Sequence, residues 1–306
     1  MSDNNEGADA QKTAPVPLDA SLYAIDDEAL EFVKATTGIR DPEEVKKHVL
    51  TVQAEAYAVC AYPCIRSLKL ARLPAYKQLL TLGKERKGAI FLDIGCCFGN
   101  DIRKAVFDGY PIGNVIGSDL HPEYWNLGHK LFKTTPETFP VPFVAGDAFD
   151  PAHLEPVPPF YSPPDTPRPE LATLTSLNPL RGHVSAIHAS AFFHLFDEGE
   201  QFKLAQALAG LLSPEPGSML LGVHGGRHEK GYRTETGTRR RAHGGGLMFA
   251  HSPDSWTELW DGLIFTKGSV KVEAFLQETE RNDLRNVPGV LPEAKFYVLV
   301  WSVTRL

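Results

Sequence analysis

The run FLDIGCCFGND, residues 91–101, constrains the fold of this chain more than any other stretch. An apolar segment ends on a carboxylate, Asp93, and a tight turn carrying Gly95 and Gly99 opens the helical pattern IRKAVFDG. Glycine lets the backbone turn sharply and approach a ligand. Strand, turn and helix together therefore predict a small-molecule cradle at the carboxyl edge of a parallel sheet.

Charge separates the ligands that such a cradle could hold. A dinucleotide brings a pyrophosphate to the helix N-terminus, where Asp93 would face like charge at a few ångströms. S-adenosylmethionine brings an α-ammonium and a sulfonium, and Asp93 becomes an attractive partner. The spacing also departs from G-x-G-x-x-G, with Cys97 standing between Gly95 and Gly99.

From residue 89 onward, short apolar runs recur at intervals suited to βα units: AIFLDI, NVIGSDL, PFVAGDA, VSAIHA and MLLGVHG. Near-continuous hydrophobicity marks strands covered on both faces, hence a doubly wound, mostly parallel α/β sheet. SPDSWTELWDGL then reads as a helix with Trp256, Leu259, Trp260 and Leu263 on one face. VKVEAFLQ and KFYVLVWSVTRL follow as two late strands able to pair antiparallel at an edge. Ahead of the sheet, residues 21–85 read as a helical cap. Its second helix is opened by Asp41 as N-cap, Pro42 at the first helical position and Glu44 completing a capping box. Residues 1–20 read as a disordered tail, and 86–306 as the ligand-binding domain.

Two stretches interrupt this plan. Residues 151–180 hold nine prolines, so they predict a long irregular insertion wrapping the surface. Residues 225–246, rich in glycine and arginine after a strand tip, read either as a solvated loop or as a lid over the substrate.

Asp93, Asp119 and Asp147 each end a predicted strand, and a parallel sheet brings those ends to one edge. In a nucleoside crevice, Asp93 would lie near the ammonium, Asp119 would accept from ribose hydroxyls, and Asp147 would sit by the adenine amino group. Gly95 to Asp119 spans one βαβ unit, the spacing that a ribose contact needs. Leu120, Ala148 and Phe149 would line the adenine, and His188, Ala189 and Ser190 the methionine arm.

Taken in order, YPCIR, LDIGCCFGNDIRK, DGYP, GSDL, GHKLF, GDAFD and ASAFFHLF resemble class I S-adenosylmethionine-dependent methyltransferases. More narrowly, they resemble the fungal small-molecule methyltransferases of terpenoid and meroterpenoid pathways, from about residue 55 to the end. The resemblance implies a seven-stranded sheet with an antiparallel last strand. It also implies cofactor contacts at Asp93, Gly95, Asp119, Leu120, Asp147 and Ala148. Cys97 departs from the broad superfamily's middle glycine but is similar to the narrower group.

Methyl transfer from a sulfonium is an in-line displacement that demands alignment and water exclusion. A carboxylate is already a nucleophile at neutral pH and needs no base, whereas a phenol, with a pKa of about 10, benefits from a histidine. His194 is the first candidate, ahead of His224 and His251. An acidic substrate would want a clamp, for which Arg66, Arg227 and the arginines at 233 and 239–241 are available. Phe193 and Trp256, with Phe192, Phe249 and Trp260, could supply apolar walls, although a tryptophan stripe at helical spacing also suits a core.

The sequence thus suggests an O-methyltransferase that uses S-adenosyl-L-methionine to esterify a hydrophobic small acid. The alternatives are phenol methylation by a histidine base and, from another class, a non-catalytic nucleotide-binding protein or a nicotinamide oxidoreductase. A net charge of -7 argues against nucleic acid as a partner. No apolar run is long enough to span a membrane, and a homodimer is left open. Four cysteines without Cys-x-x-Cys spacing point to no metal site and to a reducing cytoplasm.

Overall fold

A computed structural model describes residue 23 and residues 25–59, 68–232, 248–281 and 294–306. The tail 1–20, Arg66 and most of the 225–246 segment, from 233 on, lie outside the described residues.

Two helices lead. Asp26 caps α1 (Asp27–Thr37) by accepting from the Ala29 N–H, and Gly38 closes it with φ 74°. Pro42 opens α2 (Pro42–Val59), where Asp41 Oδ1 accepts from the Glu43 and Glu44 N–H groups. Both bury an apolar stripe against α5 (Pro122–Leu131), joining Phe32, Val49 and Val52 to Tyr124, Leu131 and Phe132 in one cluster. Phe98, from the turn after the first strand, belongs to that cluster too, so the helical layer rests directly on the glycine turn.

The central sheet has seven strands. Their spatial order runs β3 (Phe143–Ala145), β2 (Val115–Asp119), β1 (Ile90–Ile94), β4 (Val184–His188), β5 (Met219–Gly226), β9 (Phe296–Arg305), β8 (Val270–Thr279). The first five are parallel, while β9 is antiparallel to both β5 and β8, as the resemblance implied. Side chains alternate across a strand, so the two faces enter different cores. Ile90, Leu92 and Ile94 pack towards α6 (Glu198–Leu211) and α7 (Pro253–Trp260), whereas Phe91 packs towards α3 (Tyr76–Glu85) and α4 (Asn100–Phe107).

The proline-rich insertion does more than wrap the surface. It makes short 3-10 turns at Leu171–Thr173 and Asn178–Leu180 and drives Leu154, Leu171, Leu177 and Leu180 into the core shared with α6. It also closes the amino edge of the strands, where Arg168 Nε donates to the Gly88 carbonyl (3.2 Å) and Arg305 Nη2 to the Phe160 carbonyl (2.6 Å). An open groove of about 490 Å³ lies there, lined in part by Arg86, Arg168 and His183, at the edge opposite the glycine turn.

The tryptophan helix corrects one expectation. α7 stops at Trp260 because Asp261 leaves the helical region and Gly262 takes φ 139°. Leu263 therefore falls off the stripe and is 61% exposed, while Trp256, Leu259 and Trp260 are buried as the spacing predicted. Beyond β5, the described part of the glycine- and arginine-rich stretch forms a two-residue strand β6 (Gly231–Tyr232), paired antiparallel with β7 (Phe249–Ala250). Among the described residues, no helix is long and apolar enough to cross a membrane.

Candidate active site

The turn after β1 is shaped by its backbone. Gly95 and Gly99 both have φ 68°, the left-handed region that a side chain disfavours. A Cβ at Gly95 would stand 2.9 Å from the Phe192 ring, and one at Gly99 would stand 2.6 Å from Trp125. Cys97 also adopts positive φ (51°), at the position where the broad superfamily has glycine. The Gly95 and Cys96 N–H groups donate to the Ser118 carbonyl on the neighbouring strand, tying the turn to the tip of β2.

Asp119 completes that tie. Its Oδ2 accepts from the Cys97 N–H (2.9 Å) and its Oδ1 from the His121 N–H (3.0 Å), so a carboxylate at the end of β2 organises the glycine turn itself. Burial pushes its carboxyl above the usual range, and the two N–H bonds oppose that push. Asp147, past the end of β3, accepts from the Phe149 N–H (2.9 Å) in a short local turn. Ala148 and Phe149 pack partly buried against the core, Phe149 edge-on to Phe196, while Leu120 is 40% exposed beside Asp119.

Asp93, the residue expected near the ammonium, has a partner within the protein. It is buried, and its Oδ1 lies 2.7 Å from Nδ1 of His188, which faces it across the β1–β4 register. His188 Nε2 is in turn 2.6 Å from Ser190 Oγ, and the Val223 N–H donates to that same oxygen (3.1 Å). Burial raises the Asp93 carboxyl, and His188 acts in the opposite sense. For His188, burial lowers the imidazole while the Asp93 carboxylate lifts it, with a net rise. His188 and Ala189 are the residues expected along a methionine arm. The structure turns the His188 side chain inward to Asp93 and buries Ala189.

The catalytic candidates gather around β5, on which His224 lies. His224 is buried among Phe193, Trp256 and Trp301, and its Nδ1 accepts from the Trp301 indole N–H (3.0 Å). His194 Nδ1 accepts from the Gly225 N–H (3.1 Å). Indole and amide N–H groups can only donate, so both rings, when neutral, carry their hydrogen on Nε2 and have already committed their single basic lone pair. His251 bonds Ser255 Oγ through Nδ1 (2.9 Å), and burial brings it down to about 4.

The expected apolar walls divide in the same way. Phe193 and Trp256 are fully buried, their rings 5.0 Å apart, as core. Phe192, one residue earlier and half-buried, is the aromatic that lies over Gly95. Sequence offers no reason to prefer Phe192 to its neighbour; the backbone turns at Ala191 (φ 52°), just ahead of the two rings.

The arrangement suits one kind of ligand. Two carboxylates at adjacent strand tips, beside a turn whose amides are already committed to Ser118 and Asp119, fit a cation that also bears hydroxyl groups, and they oppose a pyrophosphate.

Comparisons with known proteins give the family likeness of the chain. Residues 19–69 match the family described as "Meroterpenoid methyltransferase N-terminal domain". The chain is 30% identical over 260 residues to O-methyltransferase phiE of a fungal species, covering 83% of this chain and 77% of that protein. It is 28% identical over 300 residues to the asnovolin E/chermesin D methyltransferase nvfJ of Aspergillus novofumigatus, covering 96% and 94%. Among solved structures, an S-adenosylmethionine-dependent methyltransferase from Mesorhizobium loti aligns at 16% identity and TM-score 0.43, covering 77% of this chain and 100% of that one. That likeness is too loose to add to the strand order.

Proposed function

This chain belongs to the family of fungal secondary-metabolite O-methyltransferases, and from that premise we propose that it forms a methyl ester on a hydrophobic carboxylic acid of terpenoid, meroterpenoid or aromatic type. The methyl donor is S-adenosyl-L-methionine, which supplies a methyl group activated on a sulfonium. The Gly95–Gly99 turn holds its amino-acid part, Asp119 accepts from its ribose hydroxyls, and Leu120, Asp147, Ala148 and Phe149 border its base. Phe192 covers the turn and keeps water from the transfer, where alignment and exclusion do most of the work.

One observation carries the ester reading over the phenol reading. His194, in the 3-10 turn Phe193–Leu195, and His224, on β5, both spend the Nδ1 lone pair on N–H donors, so neither ring as placed can accept a phenolic proton. A carboxylate requires no such acceptance, because it arrives ionised.

Incubation with methyl-labelled donor and a panel of terpenoid acids, aromatic acids and phenols tests this. Label should appear on acids as an ester that alkali releases. Label confined to phenols would overturn the ester assignment. A cytoplasmic location fits a chain whose cysteines follow no disulfide pattern, and fractionation of the native host would check it.

A further inference from the structure

Four groups at the carboxyl edge form a directed chain. The Val223 N–H, which can only donate, donates to Ser190 Oγ at 3.1 Å; Ser190 Oγ lies 2.6 Å from His188 Nε2, and His188 Nδ1 lies 2.7 Å from Asp93 Oδ1. Asp93, His188 and Ser190 are all buried. With the Ser190 oxygen already accepting from β5, its hydroxyl hydrogen is naturally given to His188 Nε2, and the remaining imidazole hydrogen goes to Asp93. Every donor then points towards the carboxylate, and the His188–Asp93 pair carries one negative charge. A proton added at Nε2 reverses the middle link, makes Ser190 Oγ accept twice and brings the pair to neutrality.

We infer that His188 is a positioning residue for the methyl donor: with Ser190 it orients the Asp93 carboxylate, and by taking up or giving up a proton it sets whether the crevice floor is neutral or negative. This rests on the proposed donor reading and deepens it, because the negative charge drawn to a cationic ligand belongs to the pair and not to Asp93 alone. Two charges outside the pair contribute to its field. Asp101 of α4 adds negative potential, Lys69, just ahead of the 3-10 turn Leu70–Arg72, opposes it, and the Cys96 thiol stays protonated because burial, Asp93 and Asp119 all push it up.

The sign follows from the geometry. His188 holds its proton to higher pH than a free imidazole, since Asp93 outweighs burial. Below that titration the pair is neutral and attracts a cation weakly; above it the pair is anionic and attracts it strongly. Donor affinity therefore rises with pH through the His188 titration, and binding expels a proton.

Two measurements test this. Nitrogen NMR of the ligand-free protein should show His188 titrating above the ordinary imidazole range, and S190A should move that midpoint. Calorimetry with S-adenosylhomocysteine and with sinefungin, whose amine replaces the sulfonium, should show wild-type affinity falling about tenfold between a higher pH above the His188 midpoint seen by NMR and a lower pH below it. H188N, which keeps an N–H donor for Asp93 but cannot titrate, should bind at the higher pH within about threefold of wild type and lose the pH dependence, whereas H188A should bind about tenfold more weakly. Wild-type binding that is independent of pH would overturn the inference while leaving the donor reading intact. Failure of either ligand to bind at any pH would instead remove the donor reading.

Discussion

Asp93 at the tip of β1 and His224 near the tip of β5 are equally buried, each 2% exposed, yet they belong to different kinds of structure. Asp93 faces a titratable partner and stands beside a turn whose amides reach Asp119. His224 is boxed by Phe193, Trp256 and Trp301, and its Nδ1 accepts from the Trp301 indole. A strand-tip position is therefore not enough to make a site residue; its partner decides. The β1, β2 and β4 tips carry a buried polar network, the one proposed to meet the donor, and the β5–β9 side is an aromatic core beside it.

Breaking the polar side at its backbone should have the largest effect. Gly99→Ala would force a side chain into a left-handed residue and 2.6 Å from Trp125, so it should cost about 2–5 kcal/mol of stability and abolish donor binding. Thermal unfolding and calorimetry on the same sample would show both losses; unchanged melting would mean that the turn can be rebuilt elsewhere.

The aromatic side should respond in stability alone. His224→Ala opens a cavity beside three rings and orphans the Trp301 indole, a loss of about 2–4 kcal/mol in urea unfolding. Its kcat on folded enzyme should stay within about threefold of wild type, whereas removal of a general base would cost roughly a hundredfold or more.

Asp119→Asn should sit between these extremes. It preserves shape but gives the carboxamide only one oxygen for two N–H donors, those of Cys97 and His121. Donor affinity should weaken about 10- to 100-fold with a smaller change in melting temperature. Equal affinity would remove Asp119 from the site.

The smallest effect is a gain. Cys97→Gly relieves a non-glycine residue at φ 51° and should stabilise the fold by about 0.5–1 kcal/mol, with affinity for S-adenosylhomocysteine little changed. A loss of affinity would show that the Cys97 side chain contacts the ligand.

Much of the polar side was legible in the sequence because its signals are local. The strand, the acid and the two glycines lie within a few residues of one another, and the tips of β1 and β2 follow from hydrophobic runs of ordinary length. What escaped notice depends on long-range register. Asp93 and His188 are far apart in the chain and meet only because β1 and β4 pair in parallel with those two residues opposed. Which of Phe192 and Phe193 faces the turn is set by packing after the backbone turn at Ala191, and the end of the tryptophan stripe rests on Gly262, whose positive φ carries Leu263 off the face. Aromatic residues next to a strand tip read equally well as substrate wall or as core, and only packing assigns Trp256 to the core.

The account depends on the carboxyl edge accepting a cationic nucleoside and refusing a pyrophosphate. Isothermal titration of the intact chain with S-adenosylhomocysteine and, separately, with NADP tests that directly. The account predicts saturable heat with S-adenosylhomocysteine and none with NADP. Binding of NADP alone would contradict it.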